Sequence, residues 1–137
     1  MAGYSGTSLA RKLGIAGQER LAILSAPRDY LEVVGFAGQQ FKLVSRLGRS
    51  EEYVHLFARR STDLRVMDRI AAALVDTGMV WISWPKKNSG VATDLTEAMV
   101  RQAGLKAGLV DVKVCAVDEV WSGLKFVRRL RDRAVSR

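Results

Sequence analysis

With 137 residues, 48% apolar and 26% charged, the chain is long enough for one domain with a real core and too apolar for wholesale disorder. One Cys and one His exclude an intramolecular disulfide and a cysteine- or histidine-rich zinc site, and they fit a reducing cytoplasm. Half of the net charge of +8 lies in residues 128–137, with five Arg and one Asp, so no chain-wide basic field points to nucleic acid or an anionic membrane.

Thr7 is placed to cap a short helix through Leu9, Ala10 and Leu13, with Gly14 as its stop. The apolar run 21–26, ended by Pro27, reads as a buried strand. Residues 29–34 suit a brief helix before Gly35 and Gly38. In 41–47, Phe41, Leu43 and Leu47 stand against Lys42 and Arg46, the pattern of a strand with one wet face at a sheet edge. Residues 53–58 are apolar on both faces except for His55, as in a strand covered on each side.

Ser61 or Thr62 then opens a helix in which Leu64, Met67, Ile70, Ala71 and Leu74 recur at helical spacing, closed by Gly78. A strand over 79–84 follows, halted by Pro85, with Trp81 and Trp84 as core residues. Thr93 or Asp94 begins a helix carrying Leu95, Met99 and Ala103 on one face, with Gly104 near its end. Val110, Val112, Val114 and Ala116 alternate with Asp111, Lys113 and Cys115, residues 118–123 read as a turn, and 124–129 return as a strand. There is no internal repeat and no low-complexity tract.

Strands alternating with helices imply a parallel sheet with right-handed crossovers, and the short final connection makes the last two strands antiparallel. The expected object is a three-layer α/β sandwich: one domain over 1–129, followed by a basic, flexible tail over 130–137. No run approaches ~18 apolar residues, so no membrane span is expected. The opening MAGYSGTSLARKLG lacks an apolar core and an export cleavage site, so a cytoplasmic protein is expected.

The second half, with a strand, a helix, a strand ending at Pro85, a helix and a closing hairpin, resembles the C-terminal half of class I methyltransferases. The segments GYSGTSLARKLGI, VHLF, WISWPKK, SGVATDLTE and GLVDVKVCAVDEVWSGLKFVRR, spread from Gly3 to Arg129, resemble the bacterial domain-of-unknown-function (DUF) family 3052. Both resemblances imply a Rossmann-like, methyltransferase-like sheet, mostly parallel with a C-terminal antiparallel β-hairpin. The second family carries no established activity, and the cofactor site that the first implies can be checked residue by residue. The methyltransferase turn that cradles S-adenosylmethionine is glycine-rich, whereas here it reads Ser25-Ala26-Pro27-Arg28-Asp29. The acid expected after the second strand is replaced by Leu47, Gly48 and Arg49, with Glu51 and Glu52 the nearest carboxylates. The stretch before the next strand is too short for the family's usual helix and additional strand. No cofactor is therefore expected, and the missing glycines also argue against a GxGxxG dinucleotide site.

Open α/β sheets bind ligands beyond the carboxyl ends of their parallel strands. Three loops fall there, at 27–30, 59–62 and 85–90, and hold Arg28, Arg59, Arg60, Lys86 and Lys87, five basic residues where composition gives about two. With Ser89 and Thr93 they form the candidate anion site, since the helix N-termini that follow favour negative charge. The same residues also read as an ordinary basic surface around a well-formed strand-to-helix connection. Asp118, Glu119 and Trp121 are a secondary candidate, either an acid pair or a structural hairpin. His55 and Cys115 read as core residues, and no metal site is expected.

The reading is a non-catalytic or regulatory module that binds an anionic small molecule or an acidic partner surface at this edge. One alternative is an enzyme of unrecognised type using Asp29, His55, Asp118 or Glu119 as acid or base. The other is weak nucleic-acid binding through the arginine-rich tail, which lacks interleaved aromatics.

Overall fold

The computed structural model describes residues 9–28, 30 and 41–133. A six-stranded sheet runs through the molecule: β1 (Arg20–Leu24), β2 (Lys42–Val44), β3 (Glu51–Phe57), β4 (Leu74–Pro85), β5 (Leu109–Ala116) and β6 (Trp121–Arg128), in spatial order β2-β1-β3-β4-β6-β5. The first four strands are mutually parallel, while β6 is antiparallel to both β4 and β5. Strand order reverses at β1, because β2 leaves to one side and β3 returns on the other. Helix α1 (Leu9–Lys12) lies on one face; α2 (Met67–Ala73) and α3 (Glu97–Lys106) lie on the other.

Each face owns a core, as alternation along doubly covered strands requires. On β3, Val54 and Leu56 pack with Ile70, Val100 and Phe126 beneath α2 and α3, while Tyr53 and Phe57 pack with Leu13, Trp81 and Trp121 on the opposite face. Trp81 and Trp84 are both buried, as expected, and Trp81 Nε1 donates to the Leu13 carbonyl at 2.9 Å, tying α1 to the sheet. The expected N-terminal stop is present: Gly14 adopts φ +76°, open to glycine at little cost.

Several boundaries move. The helix expected to run on to Gly78 begins instead as a 3-10 segment (Ser61–Val66), continues as α2, and stops at Ala73. The reason is distant in sequence. Arg128 on β6 donates through Nη2 to the Ala71 and Leu74 carbonyls at 2.7 and 2.8 Å, capping the helix from outside and releasing residues 74–78 into β4. Gly78 is then a close-packing point inside a strand, where a Cβ would lie 2.7 Å from Leu74 Cδ1 and 3.1 Å from the Glu51 carbonyl. Thr96, not Thr93 or Asp94, caps α3 and accepts the Met99 N–H at 3.2 Å. Thr93 Oγ1 is occupied by the Leu95 N–H, and Asp94 is drawn to Ser61. The last strand starts at Trp121, three residues earlier than expected, because Asp118 closes the turn by accepting the Val120 and Trp121 N–H groups, each at 2.8 Å.

Of the basic tail, Leu130–Asp132 forms one 3-10 turn and Arg133 Nε donates to the Arg128 carbonyl. Residues 134–137, the Thr7 cap and the helix expected over 29–34 (Tyr30 apart) lie outside the described residues. No helix among the described residues is long and apolar enough to cross a membrane.

Gly104 lies in the last turn of α3, near its end as expected, and is buried, so that a Cβ there would fall 2.0 Å from Phe126 Cε2. Alanine normally gains about 1 kcal/mol over glycine within a helix. Here the overpacking outweighs it, and Gly104→Ala should lose roughly 1–3 kcal/mol, read as a lower urea midpoint at unchanged slope. A raised midpoint would mean that α3 slides freely over β6.

Candidate functional site

The carboxyl ends of β1, β3 and β4 form one edge of the sheet, and the loops that leave them are knitted together by the chain's own carboxylates. Asp63 Oδ2 accepts the Arg59 and Arg60 N–H groups at 2.9 and 3.1 Å. Asp94, from the loop after β4, accepts the Ser61 N–H at 2.8 Å and the Ser61 hydroxyl at 2.9 Å. These Ser61 hydrogen bonds hold the Asp94 carboxyl below the usual carboxylate range. The Arg59, Arg60 and Ser61 N–H groups, which lead into the 3-10 segment, are therefore already engaged.

The basic residues along this edge do different things. Arg59 is half-buried, with its guanidinium carbon 4.9 Å above the Trp121 ring and Nη1 donating to the Ser25 carbonyl at 3.4 Å. This joins one member of each sequence candidate, since Trp121 is otherwise buried beneath Arg59. Arg28, Arg60 and Lys87 are exposed, and Lys86 is half-buried with its N–H donating to the Val120 carbonyl. Ser89 Oγ accepts the Val91 N–H, a local turn bond. Glu119 is exposed and points to no partnership with Asp118, whose carboxylate organises the hairpin. Asp29 lies outside the described residues. No group of three or more His, Cys, Asp or Glu placed to hold a metal occurs among the described residues.

A concavity lies beside these loops. A groove of about 600 Å³ is lined by Leu24, Ser25, Ser45, Arg46, Leu47, Gly48, Leu56, Asp63, Val66 and Arg69. Its floor is the end of β1, and its walls are the β2–β3 connection on one side and the 3-10 segment with α2 on the other. It opens at the point where strand order reverses. None of Arg28, Arg59, Arg60, Lys86, Lys87, Ser89 or Thr93 lines it. Arg46 and Arg69 are exposed, and neither forms an ion pair with a described residue. Ser25, at the mouth, has φ +60°, so the turn after β1 takes a left-handed step that usually favours glycine, with serine in the place. Sequence reasoning missed Ser45, Arg46 and Arg69 because nothing local marks them. The one available signal was the shortness of the connection between β2 and β3, which leaves this flank uncovered.

His55 is fully buried on the other face. Its Nδ1 lies 2.8 Å from the Tyr30 hydroxyl and its Nε2 2.7 Å from Ser83 Oγ, one nitrogen donating and the other accepting. Phe57 stacks on the imidazole with centroids 4.2 Å apart. Burial lowers its pKa from 6.5 to about 3, keeping the ring neutral, and raises those of the Tyr30 and Tyr53 phenols. The sequence expectation of a hydrogen-bonded core histidine is what the packing contains. Cys115 is half-buried at the edge of the same core.

The chain matches no family model and no curated protein. Among solved structures it is similar to magnesium protoporphyrin IX methyltransferase from Synechocystis PCC 6803 with bound SAH, with a TM-score of 0.53 at 13% identity over 74% of this chain and 57% of that one. Ribosomal protein L11 methylase from Lactobacillus delbrueckii subsp. bulgaricus gives 0.55 at 10% identity over 89% and 75% of the two chains. Mitomycin 7-O-methyltransferase gives 0.53 at 13% identity over 80% and 42%. At these identities the likeness shows a methyltransferase-like fold. The chain spans a little over half the length of the first of these proteins.

Proposed function

We propose that this methyltransferase-like domain is a non-catalytic binding or regulatory module that takes a small anionic molecule in the groove at the head of β1. The observation that carries the reading is the coincidence of a ligand-sized cavity, the reversal of strand order and two guanidiniums, Arg46 and Arg69, without ion-pair partners among the described residues. Ser25 and Ser45 add hydroxyl donors, and Leu24, Leu47, Leu56 and Val66 give an apolar bed for the body of a ligand. Arg28, Arg60 and Lys87, exposed along the same edge, raise the local concentration of anions without touching the bound molecule.

Two features favour binding over chemistry. The imidazole is sealed and neutral, and the loop after β1 lacks the glycines and, at Pro27, an N–H with which to cradle S-adenosylmethionine. Solved neighbours hold SAH or SAM, so these head the list of probes, alongside nucleotides, coenzyme A and phosphorylated metabolites.

A thermal-shift screen against those probes tests the reading. A ligand at a hundred times its dissociation constant should stabilise the protein by roughly 2.7 kcal/mol. Arg46→Ala/Arg69→Ala should weaken that ligand at least about tenfold, near 1.4 kcal/mol, with the ligand-free stability nearly unchanged because both side chains are exposed. Undiminished affinity in this variant, with loss in Lys86→Ala/Lys87→Ala, would move the site to the loops after β3 and β4. Turnover of a bound methyl donor would replace the binding reading with an enzymatic one.

A further inference from the structure

Among the described residues, the sheet ends on one side in β2, a strand of three residues. Lys42 turns inward and donates its N–H to the Glu19 carbonyl at 2.7 Å, so by strand alternation the Leu43 N–H and C=O face away from the sheet. The Leu43 side chain is 40% exposed on a rim that is otherwise cationic, with Lys42, Arg46 and Arg49 all exposed. A second cavity, of about 570 Å³, lies against this rim and is lined by Arg20, Leu43, Val44, Ser45, Arg46 and Leu47. Carboxylates do little to neutralise it. Glu51 is fully buried and held by Arg20, and Glu19, just before β1, is a single exposed carboxylate against the three exposed cations Lys42, Arg46 and Arg49.

We propose that the β2 rim is a docking edge for an acidic linear peptide, bound extended alongside β2. Main-chain groups of the peptide pair with Leu43, an apolar peptide side chain enters the cavity beside it, and flanking Asp or Glu residues meet Lys42, Arg46 and Arg49. A three-residue, lysine-bearing edge offers few main-chain bonds and does not recruit strands at random. Selection therefore rests on charge, and binding weakens as salt rises. This occupant is distinct from the small anion of the neighbouring groove, although Arg46 borders both.

The test is fluorescence anisotropy of the full chain with a labelled peptide of alternating Asp and Leu, against the same peptide with Lys for Asp. The acidic peptide should bind, the basic one should not, and about 0.5 M salt should weaken binding by roughly tenfold or more. Leu43→Asp and Arg46→Glu should each weaken it by at least roughly tenfold at an unchanged urea midpoint, since both side chains are exposed. Equal binding of the two peptides, or unchanged affinity in Leu43→Asp, overturns the proposal. Arg69→Ala separates the two sites, because it should weaken the small anion and spare the peptide, while Leu43→Asp should do the reverse.

Discussion

Lowering the pH from 7 to 4.5 is expected to remove roughly 2–3 kcal/mol of stability through His55 alone. Its folded pKa, depressed by burial to about 3, lies below the 6.5 of the unfolded chain. Between those values the unfolded state binds a proton that the folded state refuses, so stability falls as pH drops through that window and is fully present above it. Among the described residues, the groups facing the ring are the Tyr30 phenol, Ser83, Phe57 and Trp81, none of them an acid that would welcome an imidazolium. Urea midpoints of wild type and His55→Gln across pH 4.5–7 isolate the effect from carboxylate titration common to both proteins. Glutamine can still bond to Tyr30 and Ser83, so the variant should lose about 1–2 kcal/mol at pH 7 and show a much flatter profile. Parallel profiles would mean that His55 is solvated and that the packing around it opens readily.

Arg20→Met should cost about 3–5 kcal/mol, enough to leave a domain of ordinary stability close to unfolding. Glu51 is fully buried at the start of β3, where its carboxylate takes Arg20 Nε at 3.0 Å, Arg20 Nη2 at 3.1 Å and the Gly48 N–H. Removing the guanidinium leaves a buried charge with one backbone donor. The pair itself need not be strongly stabilising, because two ions were desolvated to make it. The double variant Arg20→Met/Glu51→Leu should therefore regain most of the loss, short of what the orphaned Gly48 N–H costs. A small effect in Arg20→Met, with no recovery in the double variant, would show that water reaches Glu51. The same carboxylate fastens the β2–β3 connection and so fixes one wall of the groove.

What the sequence made legible follows from short-range physics. Apolar runs of strand length, Gly14 at a left-handed stop, Trp81 and Trp84 in the core, a wet edge strand and a closing hairpin are each written in adjacent residues, because strand alternation and turn chemistry are local. The missed features are those in which a distant residue outcompetes a local signal. Thr93 and Asp94 are sound caps by type, yet Ser61 captures Asp94 from 33 positions away, and the helix starts at Thr96. Helical spacing runs through Leu74, yet Arg128 takes the terminal carbonyls and turns the chain into β4.

The candidate site divides in the same way. The sequence alone determined a mostly parallel α/β sheet with a closing antiparallel pair, which resembles that of methyltransferases, a loop after the first strand without glycine, and a basic carboxyl-end edge. Only the tertiary structure decided which cations meet which partners. It laid Arg59 over Trp121, and it spent the backbone donors of the loop after β3 on Asp63 and Asp94. It also brought Ser45 and Arg46 opposite Arg69 across a groove. The physical reason is that a cavity is a relation between elements. Its walls come from β1, the β2–β3 connection and α2, and no stretch of chain encodes the space between them.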